Sequence, residues 1–280
     1  MLNYTEALHD GYAQSFRVDR LVHYEKTAHQ ELAIFDNASF GRVLALDGVI
    51  QLTERDHHVY HEMIVHTPVF GHGEVRDVLI VGGGDGGALR EALRHPDIRV
   101  TVVEIDAQVV ETARRHLSMI CGAAFDDPRV QIVIDDGTAF VARTDRSFDV
   151  ILIDSTDPVG PAKALFSPEF YAACRRRLRP GGALVTQNGV PLFQGEQLRA
   201  SMIALRRIFR YATCYLAAVP TYTGGPIALG FATDDPGRLG EPEALAARVA
   251  ASRLEFRYYS AAVHLGAFAL PPAVLRLLEP

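Results

Sequence analysis

VLIVGGGDGGALREALRH, residues 78–95, sets a glycine-rich turn between an apolar run and an amphipathic one, with Asp85 in the middle of the turn. The apolar run reads as a buried strand and the amphipathic run as a helix, the opening strand–turn–helix of a parallel sheet covered by helices. Gly82, Gly84 and Gly87 fit GxGxxG, and Glu104 ends the next strand about 20 residues on, placed to accept hydrogen bonds from ribose hydroxyls. That pattern fits NAD enzymes and S-adenosylmethionine-type enzymes alike, and some of the glycines would serve any tight turn. An ordinary turn of this kind cradles an anion, because backbone N–H groups and the helix N-terminus point positive charge at the ligand. A carboxylate at Asp85 favours a cationic group instead.

Strand and helix alternate downstream of this segment. VRDVLIV (75–81) and ALREALRH (88–95) are followed by IRVTVVE (98–104), AQVVETARRHL (107–117), VQIVI (130–134), FDVILI (148–153) and PEFYAACRRRL (168–178). GALVTQ (182–187), a helix over about 195–209, and the runs ATCYLAAV (212–219) and PIALGFAT (226–233) complete it, the last two forming an antiparallel pair. Upstream the chain reads as strands: FRVDRLVHYEK (16–26), QELAIFDN (30–37) and GRVLALDGVIQL (41–52), where Asp47-Gly48 between two apolar runs is a hairpin signal. The expected fold is therefore α/β, its sheet mostly parallel with an antiparallel last strand, preceded by a small N-terminal β domain; the family that the chain's motifs resemble implies that the sheet is a methyltransferase-like Rossmann fold. Pro68 through Gly73 is the expected boundary, giving a β unit at 1–68 and a catalytic unit at 69–280.

Composition excludes several classes of function. The 280 residues are 48% hydrophobic and carry a net charge of −6 with both signs mixed along the chain, so no basic stripe invites nucleic acid or an anionic membrane. Every apolar segment is broken by Gly, Pro or charge well short of the ~20 residues a spanning helix needs. Cys121, Cys174 and Cys214 are far apart with no CxxC pair, which points to a reducing cytoplasm without disulfides. No metal is expected, because His57, His58 and His61 lack a matching set of distant ligands at recognisable spacing, and they read as a partly exposed cluster.

Further acids close successive strands: Asp135 and Asp136 after VQIVI, and Asp154 and Asp157 in FDVILIDSTDPVGP. Parallel strands share one ligand-binding edge, so Asp85, Glu104, Asp136, Asp154 and Asp157 should converge on one cleft suited to a cation. Any one of them alone would as readily cap a helix or form a turn.

LDGVIQLTERD (46–56), YHEM (60–63), VGGGDGGALRE (81–91), VEID (103–106), DDG (135–137), DSTDPVGPAKALF (154–166), QNG (187–189) and PTYTGG (220–225) together resemble the spermidine synthases of the polyamine aminopropyltransferase family over nearly the full length. The resemblance implies transfer of an aminopropyl group from decarboxylated S-adenosylmethionine to putrescine, giving spermidine and methylthioadenosine, with no metal or redox cofactor. It implies that Gln30, Glu104, Asp136, Gly137 and Pro161, with Gln51, Gly82 and Gly84, hold the nucleoside donor, and that Asp85 holds its aminopropyl ammonium. Tyr60, His61, Asp157 and Tyr222 would line the amine path, and Asp154 would orient and deprotonate the attacking amine. A homodimer or homotetramer is implied, with the N-terminal strands as the interface. Residues 158–166 are expected to order over bound ligand.

Taken alone, Tyr222 and His61 would read as packing residues, and TERDHHVYHEM as a helix start capped by Thr53 or Asp56. His57 and His58 stand where the family has an acid and an aromatic, and Lys163 where it commonly has Glu, so acceptor preference is open. The alternatives are an aminopropyltransferase for cadaverine, agmatine or spermidine, a methyltransferase, and a non-catalytic polyamine or nucleoside binder. An NAD oxidoreductase is weakest, because nothing in the chain looks like a hydride-transfer site.

Overall fold

Asp47 and Gly48 both take positive φ, 47° and 84°, as a tight hairpin requires. The turn joins β5 (Gly41–Leu46) to β6 (Val49–Thr53), and with β3 (Arg20–Lys26) and β4 (Glu31–Asn37) these form an antiparallel sheet in the order β3-β4-β5-β6. The computed structural model describes residues 2–158 and 160–279, with the side chain of Pro161 outside that description. FRVDRLVHYEK is not one strand. Asp19 breaks it: its N–H bonds the Asp36 carbonyl at 3.0 Å while its carboxylate takes the Ala38 N–H at 2.6 Å. The residues before the break belong to β2 (Tyr12–Val18), which makes a separate hairpin with β1 (Leu2–His9). Phe16 of that hairpin packs with Ala33, Phe35, Val43, Ala45 and Ile50 in a small core of its own.

The larger sheet has seven strands in the order β12-β13-β11-β10-β7-β8-β9. β7 (Asp77–Gly82), β8 (Arg99–Glu104), β9 (Val130–Ile134), β10 (Phe148–Asp154) and β11 (Leu178–Gln187) run parallel, while β13 (Ile227–Thr233) pairs antiparallel with β11 and with β12 (Tyr211–Ala217). Strand order reverses beside β7, which has β8 on one side and β10 on the other. Such a reversal opens a crevice at the C-terminal strand ends.

Ten α-helices are described. α1 (His57–His72) enters from the β unit, α2 (Gly87–Leu93) follows the glycine turn, and α3 (Ala107–His116), α4 (Ser118–Cys121), α5 (Gly137–Arg143) and α6 (Pro168–Arg177) cross between strands. α7 (Pro191–Ile208) opens one turn earlier than its periodicity suggests, across a kink at Gln194. α8 (Pro242–Ser252), α9 (Ala261–Ala267) and α10 (Pro272–Leu277) close the chain. None of the described helices is long and apolar enough to cross a membrane.

Pro68 to Gly73, the expected boundary between the two units, form the closing turn of α1 and its cap, where the Gly73 N–H bonds the Val69 carbonyl. From Val59 to His72 every α1 residue is buried, and a helix covered on all sides shows little amphipathic period. Leu32, Ile34 and Leu44 of the small sheet share one core with Met63 and Ile64 of α1 and with Val78 and Ile80 of β7. The C-terminal tail is fastened to the same helix: buried Glu62 accepts the N–H groups of Arg257, Tyr258 and Tyr259 at 2.7–2.9 Å.

Candidate active site

Gly82 and Asp154 end adjacent strands in register, so the glycine turn and the second acidic turn meet. The Gly83 N–H donates to the Asp154 carbonyl at 2.8 Å, and a Cβ on Gly82, whose φ is +84°, would lie 2.1 Å from that oxygen. Only glycine allows the approach. Asp85 then folds back on the turn, where its Oδ1 accepts the Gly87 N–H at 2.7 Å.

One cavity is lined by all five acids expected to converge: Asp85, Glu104, Asp136, Asp154 and Asp157. No lysine or arginine lines it among the described residues. Gly82, Gly84, Gly137, Gln30, Gln51, Tyr60, His61 and Tyr222 also line it. Pro161, whose side chain is outside the description, cannot be placed against this cavity; the 3-10 turn Gly160–Phe166 contributes Ala162 and Leu165 to its wall. Lys163 is exposed and is not part of the lining.

Burial raises the Glu104 carboxyl to about 7, although the Asp106 N–H at 3.0 Å favours its charge. Asp136 goes the other way. The Thr138 hydroxyl at 2.5 Å and the Thr138 and Ala139 amides all donate to its Oδ1 and lower its pKa, so it caps α5 while lining the cavity. Gln30 donates to Asp106 at 3.1 Å, and Thr27 to the same oxygen at 2.6 Å, which ties the loop before β4 to the turn after β8.

Asp85 and Asp154 are neighbours with opposite shifts. Burial and the Asp85 charge push Asp154 up to about 6, opposed by the Tyr60 hydroxyl, which donates to its Oδ1 at 2.8 Å. Asp154 Oδ2 is buried with no hydrogen-bond partner among the described residues. Asp85 is lowered: burial works against its charge, but His61 and the Gly87 amide outweigh it. His61 is 2% exposed, so it does not belong to a partly exposed cluster. The fold brings to it the carboxylates that spacing along the chain conceals, with one atom each of His61, Asp85 and Asp154 within 4.8 Å of one another.

The cavity and its surroundings also hold residues that the sequence reading missed. Glu6 of β1 lines the cavity, nearly buried, and accepts from the Ile50 N–H at 2.7 Å and the Thr223 hydroxyl at 3.0 Å. Nothing in the mostly exposed pattern of β1 marks it. Gln187, inside the QNG motif, donates to Asp157 at 3.1 Å. Asp56 does not cap α1. Its carboxylate takes the Thr53 hydroxyl at 2.5 Å and the Thr221 N–H and hydroxyl at 2.9 and 2.7 Å, pinning PTYTGG so that the Tyr222 hydroxyl donates to the Gln51 carbonyl at 2.8 Å.

Two family models match the chain: the spermine/spermidine synthase domain over residues 57–238, and the spermidine synthase tetramerisation domain over residues 3–54. The chain belongs to the spermine/spermidine synthase family. A polyamine aminopropyltransferase from Ruegeria sp. is 50% identical over 98% of this chain and 97% of its own length. Polyamine aminopropyltransferase 1 of Pseudomonas aeruginosa is 50% identical over 99% and 98%. Among solved structures, a spermidine synthase in complex with the transition state analogue AdoDATO superposes with a TM-score of 0.94 at 36% identity, covering 99% of this chain and 94% of that one. The spermidine synthase of Thermotoga maritima gives 0.91 at 33% identity, with the same coverage. The fold is thus that of the spermidine synthases, and this family member is an aminopropyltransferase.

Proposed function

We propose that this aminopropyltransferase moves the aminopropyl group of decarboxylated S-adenosylmethionine to putrescine, giving spermidine and methylthioadenosine. The observation that carries the reading is the split between Asp85 and Asp154: adjacent carboxylates, one held charged and the other raised to about 6. Asp85 takes the donor's aminopropyl ammonium. Glu104 receives the ribose hydroxyls, with Asp136, Gly137, Gln30, Gln51, Gly82, Gly84 and Pro161 around the nucleoside. Tyr60, His61, Asp157 and Tyr222 guide the acceptor amine.

The sulfonium already activates the methylene carbon, so the enzyme mainly aligns an amine in line with it. The amine nitrogen bonds to that carbon as the carbon–sulfur bond breaks and methylthioadenosine leaves. The amine, ordinarily protonated with a pKa near ~10.4, gives its proton to Asp154 as attack proceeds. Asp154 also faces the positive charge as it moves from sulfur to nitrogen. An intact methionine carboxylate would meet Asp85 in a cleft without lysine or arginine, a repulsion on the order of a few kcal/mol that selects the decarboxylated donor. Displacement at a sulfonium calls for no further cofactor. The proposed compartment is the cytoplasm, in keeping with Cys121, Cys174 and Cys214 being unpaired and buried.

The test is product analysis of the purified protein with decarboxylated S-adenosylmethionine and putrescine, cadaverine, agmatine or spermidine. Spermidine and methylthioadenosine in equal amounts are expected, with putrescine the preferred acceptor. No methylthioadenosine with any amine would sink the reading. Asp154→Asn is expected to lower kcat about 100-fold or more while leaving methylthioadenosine affinity nearly unchanged; unchanged turnover would remove Asp154 from the mechanism.

A further inference from the structure

His57, one turn before His61 on α1, does not line the cavity yet touches its chemistry. Its Nδ1 is 3.1 Å from His61 Nδ1, and His61 Nε2 is 3.4 Å from Asp85 Oδ1. A nitrogen–nitrogen contact of that length holds one proton, so one ring donates and the other accepts. The His61 ring is fixed from below as well: a Cβ on Gly87 would lie 2.1–2.5 Å from three of its atoms. The chain His57–His61–Asp85 therefore has two proton arrangements. Either neutral His57 donates to neutral His61, or His61 is an imidazolium that donates in both directions, to His57 and to Asp85.

The surroundings select the second. The cavity holds Asp85 and the unpartnered Oδ2 of Asp154 beside His61, and no lysine or arginine to balance them among the described residues. Buried carboxylates need a paired cation, and His61 is the group in reach. His61 is faced by His57 and Tyr60 from α1, Asp85 from the glycine turn, Asp154 from β10 and Glu91 from α2; His57 is faced in addition by His58 and by Arg257 of the C-terminal tail. Burial opposes charge on His61, but the surrounding carboxylates outweigh it and raise its pKa. Burial and its like-charged neighbour push His57 down to about 3, which keeps it neutral and able to accept.

We propose that His57 is a positioning residue that keeps His61 as an imidazolium on Asp85 in the empty cleft, so that an ammonium arriving at Asp85 expels one proton from His61. The ammonium rests on the donor reading above. An ammonium seated on Asp85 puts a second positive charge beside the buried His61 ring, and a like charge there lowers its proton affinity, so the imidazolium yields its proton and the net charge of the cleft is conserved. The proton balance is simple. His61 passes its Nδ1 proton to His57 Nδ1, His57 releases its own Nε2 proton to solvent, and His61 remains neutral with Nε2–H still toward Asp85. His57 thus offers His61 a neutral acceptor and sets how tightly His61 holds the resident proton.

The test is histidine ¹⁵N NMR of the full-length protein at pH 7, free and with saturating methylthioadenosine or decarboxylated S-adenosylmethionine. We expect an imidazolium signature for His61 in the free protein, unchanged by methylthioadenosine, which has no ammonium, and lost with the decarboxylated donor. A neutral His61 in the free protein, or an imidazolium that persists beside the bound donor, overturns the proposal. His57→Leu removes the acceptor and is expected to weaken the His61 proton affinity about tenfold, whereas His57→Glu strengthens it. Equal His61 titration midpoints in the parent and both variants also overturn it. Should the donor not bind at all, the functional reading falls separately, and the free-protein titrations still decide the role of His57.

Discussion

Glu104 is 7% exposed with its carboxyl raised to about 7, so the folded chain binds a proton there that the unfolded chain releases from about 4.5 upward. A raised carboxyl pKa contributes stability at low pH that is lost as pH climbs from the ordinary value to about 7, on the order of 3 kcal/mol. Ligand binding has the opposite dependence, because ribose hydroxyls donate to the carboxylate form. Methylthioadenosine affinity should therefore rise with pH through about 7, falling close to tenfold per unit below it. Titration calorimetry at pH 6 and 8 checks this. Glu104→Gln should reduce the pH slope of thermal stability in that window and weaken nucleoside binding at pH 8; equal affinity in variant and parent would count against the ribose assignment. For Asp154, raised to about 6, the base form is lost below that value, so kcat/KM should fall as pH drops through it.

At the scale of elements, the proposed amine side depends on one buried acid. Asp56 holds the start of α1 to PTYTGG through two bonds to Thr221 and one to Thr53, and Tyr222 sits beside Thr221. Asp56→Ala would leave buried donors unsatisfied, costing about 1–3 kcal/mol, and release the loop that aims Tyr222. We expect a higher KM for the acceptor with methylthioadenosine affinity preserved, measured by steady-state kinetics beside calorimetry. If both affinities fall together, the loop serves the whole cleft rather than the amine end. α1 shows why part of the fold was hidden in the sequence. Its residues from Val59 on are buried all round, so the period that marks a surface helix is missing, and Pro68 inside it reads as the start of a boundary. β1, with Glu6 as its one buried residue, carries no alternation for the opposite reason.

At the scale of the molecule, the β unit leaves Leu2, Tyr12, Leu21 and Tyr24 exposed at 50–64% on β1, β2 and β3. That apolar surface and the tetramerisation model over residues 3–54 support a homo-oligomer built through these strands. Sedimentation velocity of the parent at micromolar concentration should give a dimer or tetramer, and Leu21→Glu with Tyr24→Glu should shift it to monomer. A monomeric parent would remove the proposal. Because Glu6 of β1 reaches the cavity and Gln14 of β2 bonds the Thr221 carbonyl at 2.8 Å, the monomeric variant should also show a higher acceptor KM.

By itself the sequence determined the parallel sheet, the hairpin at Asp47-Gly48, the glycine turn and the row of acids at the strand ends. These are local: they follow from the alternation of apolar runs, from φ values that glycine tolerates, and from the shared edge of parallel strands. Only the tertiary structure decided which acid is charged and which is poised to take a proton. Asp85 and Asp154 are similar acids at strand ends, and their difference comes from burial and from His61, Tyr60 and each other, brought together from distant parts of the chain. A pKa is set by what surrounds a group in space, and the same holds for His57, which directly follows TERD and gains its chemistry once α1 lays His61 against Gly87 and Asp85.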